Sequence, residues 1–335
     1  MGARRRFMLG VWIGSRRESR SAGPGSNSFH LVIAESTDDH TFTIIERAKE
    51  MVLLGEHTLL TRVIPAAAAE RGLEALVRLR RIAARHDLKE LVILGTAALR
   101  EAANREEFCR AAREAIGGEV RIADEHEEAR LTYLGAAWSL GLADQKVLLF
   151  DLGGGSLELI TGDAQRMRRG VSLKLGGLRL AEQWLHTDPP SEAEVAAVRS
   201  LVRATLEPEM TELRGTGFDL VAFSSGTANA LRRMSARLGV KAPILSHQEL
   251  VAWEDRLVRA TSGERLQIAG LHPRRLHSIV AGTIVLRIAL ELSGHDQARY
   301  CAGALREGMI LDYLARRTRG QSRGSEAESA LPLSP

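Results

Sequence analysis

The chain has 335 residues, 44% of them hydrophobic and 26% charged, so it can bury a large core and its length favours two domains. Its two cysteines exclude a disulfide framework and a cysteine metal site, and no window approaches the roughly 20 apolar residues of a membrane span. The formal charge of +4 does not indicate a nucleic-acid partner, because the excess arginine lies in residues 1–22 and 316–335 and leaves the rest at about −3.

Both ends of the chain are predicted to lie outside the folded core. Residues 1–22 are interpreted as a basic N-terminal extension with an uncertain first strand, and residues 318–335 as a disordered tail of polar, Gly, Ser and Pro residues. The apolar run at 7–14 is short, charge returns after it, and no small-residue cleavage site follows. We therefore predict a cytoplasmic protein without a secretory leader, a membrane partner or a nucleic-acid partner.

The first half of the chain alternates strand-like and helical segments. "SFHLVIAE" and "TFTIIERAKEMVLL" are typical of consecutive strands, and Pro65 then opens an alanine- and leucine-rich helix that ends near Arg85. "ELVILGTAA" is a short apolar run of the kind that a buried strand shows. Further helix up to Ile116, the strand "VRIAD" and the helix "EEARLTYLGAAWSL" complete this half.

The pattern starts again in the second half. "KVLLFDLGGGSLELITG" indicates strand, glycine turn and strand, and "DLVAFSSGTANAL" indicates strand, glycine turn and helix. Long amphipathic helices cover about 190–213, 247–261 and 275–293, and "ALREGMILDYLARR" closes the fold as a helix. This alternation predicts an α/β fold, and a strand–glycine turn–strand unit at the start of each half is weak evidence of duplication.

The segment "DLGGGSLELI" is the strongest single signal. Three successive glycines, Gly153 to Gly155, let backbone N–H groups approach an anion without a Cβ in the way, and Ser156 follows them. Asp151 and Glu158 flank the turn, so their carboxylates could hold a hard cation from two sides. The alternative interpretation, a structural hairpin with solvated acids, stays open.

Three further groups carry an equally open choice between chemistry and structure. Ser224 to Thr227 could cradle an anion at a helix N-terminus or form an ordinary N-cap. Arg100 follows a strand end, where open α/β sheets bind ligands, or is a surface arginine. Glu127 and Glu128 start a helix, and they could orient a water as general base or simply interact with the helix dipole.

Taken together, these segments resemble the exopolyphosphatase and guanosine pentaphosphate phosphohydrolase family. The resemblance runs in the family's order from about residue 25 to 316. The matching pieces are "GSNSFHLVIAE", "ERAKEMVLLGE", "GTAALREAANREEF", "EEARLTYLGA", "FDLGGGSLEL", "SLKLGGLRLAE", "SSGTANAL", "IVAGTIVL" and "ALREGMILDYL". It implies two actin-like, ribonuclease H-like domains at 23–140 and 141–304 that face a central cleft. A last helix at 305–317 is expected to pack back toward the first domain, as in the short two-domain form.

The resemblance also implies roles for individual residues. Glu128 would activate a water and Arg100 would clamp the terminal phosphate, while Asp151 and Glu158 would bind Mg²⁺ or Mn²⁺. The phosphate-binding residues would be Gly25, Ser26, Asn27, Ser28, Gly153, Gly154, Gly155, Ser156, Ser225, Gly226 and Thr227. The implied activity is release of terminal phosphate from inorganic polyphosphate or guanosine pentaphosphate, in a protein that could also form a homodimer.

The first loop departs from the family pattern. Members carry Asp-x-Gly-[Ser/Thr]-Asn-Ser there, whereas "GPGSNS" puts Gly23 at the position of the acid. A second register, over "GVWIGS", puts Trp12 there and makes the intervening residues an insertion. His277 likewise stands where many members have aspartate. The alternative function is therefore an impaired enzyme, or an actin-like protein that binds polyphosphate or an alarmone without hydrolysing it. An actin-like kinase or ATPase is a third.

Overall fold

The computed structural model describes residues 5–14, 28–36, 42–52, 54, 58–88, 91–215, 217–239 and 243–328. The strands are β1 Arg5–Gly14, β2 Ser28–Ser36, β3 Thr43–Met51, β4 Leu91–Gly95, β5 Val120–Ile122, β6 Val147–Leu152, β7 Leu157–Gly162, β8 Met167–Leu173, β9 Leu220–Ser224, β10 Ile244–Ser246 and β11 Gln297–Tyr300. The helices are α1 Thr58–Thr61, α2 Ala66–Ala83, α3 Ala97–Glu101, α4 Arg105–Ile116, α5 Glu125–Leu140, α6 Gly177–Trp184, α7 Glu192–Arg214, α8 Gly226–Arg237, α9 His247–Arg259, α10 Ser262–Leu266, α11 Leu276–Ser293 and α12 Leu305–Glu328.

The strands form two sheets with the same core topology. The first has the order β3-β2-β1-β4-β5, in which β1, β2 and β3 are antiparallel neighbours and β4 and β5 run parallel to β1. In the second, β8-β7-β6-β9-β11 repeats that arrangement, and β10 adds an antiparallel edge. The predicted α/β fold with two related halves is confirmed, and β1 is the counterpart of β6.

Both sheets bury side chains on two faces, as the apolar strand sequences predict. In the first sheet Phe29, Leu31 and Ile33 of β2 pack on α2 and α4, whereas Val32 and Ala34 point to the other face and meet α5 and α12. The second sheet is covered by α7, α9 and α11 on one face and by α5 on the other. Helix α5 therefore touches both sheets.

Helices α5 and α12 cross at glycines that permit close backbone contact. A Cβ at Gly308 would overlap the carbonyl oxygen of Leu131, and one at Gly135 would overlap that of Ala304. An ion pair between Arg130 and Asp312, 2.8 Å apart, joins the same two helices. This crossing holds the start of α5 at a defined position between the sheets.

Two predicted boundaries differ from the structure. The sequence predicts an extension with an uncertain first strand at 1–22 and a first domain that begins at 23, but β1 lies within that segment and is the central strand of the first sheet. Arginines on both sides of the apolar run favour an extension, whereas in the structure β1 pairs with β2 on one edge and with β4 on the other. Helix α12 also continues to Glu328, past the predicted end at 317, because the first proline of the tail comes only at Pro332.

One helical segment, Pro273–Ser293, has the length and composition of a membrane span, contrary to the prediction that no window approaches one. In the structure 78% of its apolar window is buried, mainly against the second sheet and its helices. It is therefore the core helix of the second half.

Candidate functional site

Asp151 and Glu158 form a buried carboxylate pair at the end of the β6–β7 hairpin. The two residues lie directly opposite each other in the antiparallel register, so their side chains share one face. Only 7% of Asp151 and 8% of Glu158 is exposed. On its other edge Asp151 pairs with Ser224 of β9, which places the acids beside the second glycine turn.

The carboxyl group of Glu158 has a raised pKa. Its carboxylate accepts hydrogen bonds from Ser156 Oγ at 2.5 Å and Ser172 Oγ at 3.2 Å. Burial, followed by the negative charges of Glu128 and Asp151, raises the pKa of Glu158 to about 8. The carboxylates of both halves thus concentrate negative charge in one region.

Arg100 and Glu128 contact each other. Arg100 Nη1 donates to Glu128 Oε2 at 2.8 Å and to the Ala123 carbonyl at 3.0 Å, and both side chains are less than one-fifth exposed. Glu127 faces elsewhere and pairs with Arg121. The adjacent acids are therefore not equivalent, and Glu128 alone faces the buried carboxylates.

Helix α6 orients the glycine loop that follows β6. The Gly153 carbonyl accepts from the Gly177 N–H at 3.1 Å, and the Gly154 carbonyl accepts from the N–H groups of Leu178 and Arg179 at 3.0 Å. Because N–H and C=O point in opposite directions across a planar trans peptide, the N–H groups of these two peptide units point away from α6. The N–H groups of Gly154 and Gly155 are thus directed to the side of the loop opposite α6, the side on which a phosphate is expected.

The turn after β9 forms an N-cap, one of the two interpretations offered by its sequence. Ser225 is the N-cap of α8, and its hydroxyl accepts from the Ala228 N–H at 2.8 Å. Thr227 is buried, and Gly226 lies so close to the Arg275 guanidinium that a Cβ there would overlap it. Of the three predicted phosphate-binding residues, the first is thus engaged in capping and the last belongs to the core.

A cavity of about 240 Å³ opens beside this turn, between the two sheets. The first half contributes two basic residues from β2 and β3, and the second half contributes the ends of β9 and β11. Its lining residues are His30, Arg47, Trp138, Ser139, Ser224, Ser225, Gly226, Tyr300, Cys301, Ala302, Gly303, Arg306 and Glu307. Local sequence patterns do not reveal that His30 and Arg47 face this cavity, because the two residues come from different strands.

The strand register identifies the counterpart of Asp151 in the first half. Trp12 pairs with His30, and Gly14 with Ser28. In the second hairpin Asp151 pairs with Glu158, and the Gly153 N–H bonds to the Ser156 carbonyl across the turn. The two hairpins match if Trp12 stands at the position of Asp151 and His30 at that of Glu158.

This register corrects the alignment that put Gly23 at the acid position and Gly25 opposite Gly153. Gly14 is the counterpart of Gly153, since β1 ends there and its pairing with β2 extends to that residue. Gly25, Ser26 and Asn27, assigned to the first phosphate loop, lie outside the described residues, and Ser28 begins β2. The 13 residues from 15 to 27 separate the two strands.

The donor set suits a hard divalent cation. Two neighbouring buried carboxylates are the oxygen ligands that Mg²⁺ and Mn²⁺ prefer, and their mutual repulsion would be relieved by positive charge. Within the described part of the chain, no group of three or more His, Cys, Asp or Glu residues forms a ready-made metal site. A cation at Asp151 and Glu158 would therefore need oxygen atoms from water or substrate as well.

The raised pKa of Glu158 predicts how stability depends on pH without divalent cations. A native-state pKa of about 8, above the unfolded value of roughly 4.3, means that the native state holds an extra proton. The free energy of unfolding should therefore fall as pH rises from about 5 to 8 and level off above that. Chemical denaturation of the wild type and Glu158→Gln across pH 5–9 should show this fall only in the wild type.

An exposed acid is the control for this experiment. Glu119→Gln, at a side chain 77% exposed, should leave the pH dependence of unfolding unchanged. Parallel curves for the wild type and Glu158→Gln would show that Glu158 keeps an ordinary pKa.

Proteins of known function resemble this chain over most of its length. Exopolyphosphatase 1 of Mycobacterium tuberculosis is 30% identical over 296 residues, which cover 86% of this chain and 85% of that protein. The guanosine-5'-triphosphate,3'-diphosphate pyrophosphatase of Vibrio vulnificus is 29% identical over 298 residues, 87% of this chain but only 58% of the relative.

Solved structures support the same relationship at the level of the fold. An exopolyphosphatase from Cytophaga hutchinsonii superposes with a TM-score of 0.82 at 23% identity, over 93% of this chain and 98% of that one. The model of the Ppx/GppA phosphatase family matches residues 32–317. A match of this extent, together with relatives that cover most of the chain, shows that the protein belongs to the Ppx/GppA phosphatase family.

Proposed function

We propose that this protein is a phosphohydrolase that releases terminal phosphate from inorganic polyphosphate or guanosine pentaphosphate. The observation that carries the proposal is the contact between Arg100 and Glu128. Glu128 lies in the region where its charge and that of Asp151 help to raise the pKa of Glu158. The names of the Mycobacterium and Vibrio relatives support both substrates. The chain covers most of the first relative and little more than half of the second.

The mechanism assigns binding and proton transfer to different groups. The loop N–H groups at Gly154 and Gly155 and the Arg100 guanidinium would bind the terminal phosphate, whose charge competes with Glu128 for Arg100. Glu128 would then accept a proton from a water molecule while the oxygen of that water forms a bond to the terminal phosphorus. The bridging P–O bond breaks, and inorganic phosphate and the shortened substrate leave. Such transfer depends mainly on positioning and electrostatic stabilisation.

A divalent cation fits this proposal. Asp151 and Glu158 would hold Mg²⁺ or Mn²⁺. The bound cation would neutralise the charge that develops on the phosphate oxygens. Since the pKa of Glu158 is about 8, cation binding must displace its proton and should strengthen as pH rises. Ser156 and Ser172 hold the Glu158 carboxylate in place through their hydroxyl groups.

The position of Trp12 favours a second candidate, a protein that binds these substrates with little turnover. The first hairpin carries Trp12 and His30 where the second carries an acid pair, so the described strands of the first hairpin supply no carboxylate at these two positions. Phosphate release and equilibrium binding, both measured with polyphosphate and guanosine pentaphosphate, separate the two candidates. Release with a cation supports the hydrolase, whereas binding without release supports the second candidate.

Restoring the acid at the position given by the register should raise turnover. Trp12→Asp is expected to increase kcat with little change in KM, because the added carboxylate would help to hold the cation or the attacking water in the transition state, while the backbone donors bind the ground state. Trp12→Ala is the matched control that removes the indole without adding an acid, and it should bring no gain. A gain from Gly23→Asp without one from Trp12→Asp would show that the register is wrong.

A further inference from the structure

Arg179 connects the glycine loop to the opposite half of the protein. It lies in α6 with a side chain that is only 12% exposed. Its Nε donates to the Gly155 carbonyl at 2.8 Å, and its Nη2 lies 3.8 Å from Glu101 Oε2. One guanidinium therefore contacts both the loop between β6 and β7 of the second sheet and helix α3, which follows strand β4 of the first sheet.

The bond to Gly155 completes the orientation of the loop. The two preceding carbonyls, of Gly153 and Gly154, are held by backbone N–H groups at the start of α6, whereas Gly155 is held by the Arg179 side chain. Fixing this peptide also fixes the direction of the Ser156 N–H, the third donor on the side away from α6. Because Gly176 has no Cβ, α6 can approach the loop closely enough for this contact.

The contact to Glu101 reaches the phosphate clamp. Glu101 is the last residue of α3 and directly follows Arg100, whose guanidinium contacts Glu128. A short path of contacts therefore runs from the Gly155 carbonyl through Arg179 and Glu101 to the helix that carries Arg100. The path passes from one half to the other at the ion pair between Arg179 and Glu101. Their side chains are 12% and 30% exposed, so water screens this ion pair only partly.

We propose that Arg179 is a positioning residue that holds the Gly153–Ser156 loop in its anion-binding form and couples this loop, through Glu101, to the position of Arg100. The inference rests on the proposed function for the identity of the anion, a chain of phosphates. Arg179 acts through the loop and through α3, and no contact between its guanidinium and the substrate is required.

The test measures binding separately from turnover. The probe is a methylene-bridged tripolyphosphate analogue that water cannot cleave, titrated by calorimetry. Arg179→Ala should weaken its binding about 10-fold, since a charge-assisted hydrogen bond that orients a donor is lost. Glu101→Gln should leave binding within about 2-fold but lower kcat severalfold, because the loop bond survives while Arg100 loses its tie to the loop. In the Arg179→Ala background the Glu101→Gln effect should vanish.

Controls keep the result interpretable. Arg113 and Glu119 form an exposed ion pair at 3.0 Å, and their single and double variants should change neither binding nor kcat. If Arg179→Ala does not fold, Arg179→Lys, which keeps the charge but not the two-way contact, and Glu101→Gln carry the test. Unchanged analogue binding in a folded Arg179 variant, or additive effects of Arg179 and Glu101, would overturn the proposal. Wild-type protein that binds the analogue but releases no phosphate would refute the proposed hydrolase without touching the loop inference.

Discussion

Replacing Glu128 with glutamine is expected to lower kcat by roughly 10²–10⁴-fold, the usual contribution of a general base. The amide keeps the size of the side chain and can still accept a hydrogen bond from Arg100, but it cannot take the proton of the attacking water. Phosphate release at saturating polyphosphate measures the loss. At a Mg²⁺ concentration that keeps Glu158 deprotonated, the acid limb of the pH–rate profile should also flatten, a change that mere loosening of Arg100 would not produce.

Glu127→Gln is the matched control. Glu127 neighbours Glu128 in α5, but its carboxylate pairs with Arg121 and lies 3.6 Å from Arg316. Removal of the Glu127 charge should lower kcat by a few-fold at most, as expected for the loss of partly exposed ion pairs. Equal losses in the two variants, or full activity of Glu128→Gln, would contradict the assignment of the base.

Removal of divalent cations is expected to lower turnover by about 10²-fold or more, since metal-ion stabilisation of transition-state charge amounts to several kcal/mol. Asp151→Asn should produce a similar loss in the presence of Mg²⁺. Binding can be measured without catalysis, because a cation that binds the native state raises the unfolding temperature. This rise should be larger at pH 8.5 than at pH 6.5, as deprotonation of Glu158 is required.

Asp144→Asn, at an exposed residue before β6, is the control for charge removal and should keep the full cation response. Undiminished turnover in excess EDTA would remove the metal from the mechanism. A thermal response to Mg²⁺ that persists in Asp151→Asn would place the cation elsewhere.

The second glycine hairpin is predictable from local sequence. Asp151 and Glu158 are seven positions apart around a glycine turn, and a tight antiparallel hairpin brings such residues face to face by local geometry alone. The α/β class followed similarly, because apolar runs of strand length alternate with helical periodicity. The resemblance to the family supplied residue roles, and the family itself is confirmed.

The first hairpin and the contacts across the site depend on strand pairing and packing, and local sequence does not predict them. Two glycine turns, at Gly14 and near Gly25, fit the local pattern equally well, and only the pairing of β1 with β2 and β4 selects the first. Three contacts join elements that are separate in the chain: the ion pair of Arg100 with Glu128, the hydrogen bond from Arg179 to Gly155 and the close approach of Arg275 to Gly226. Local sequence patterns do not encode such distances, because they depend on how the two sheets and the crossing of α5 with α12 set the elements against each other.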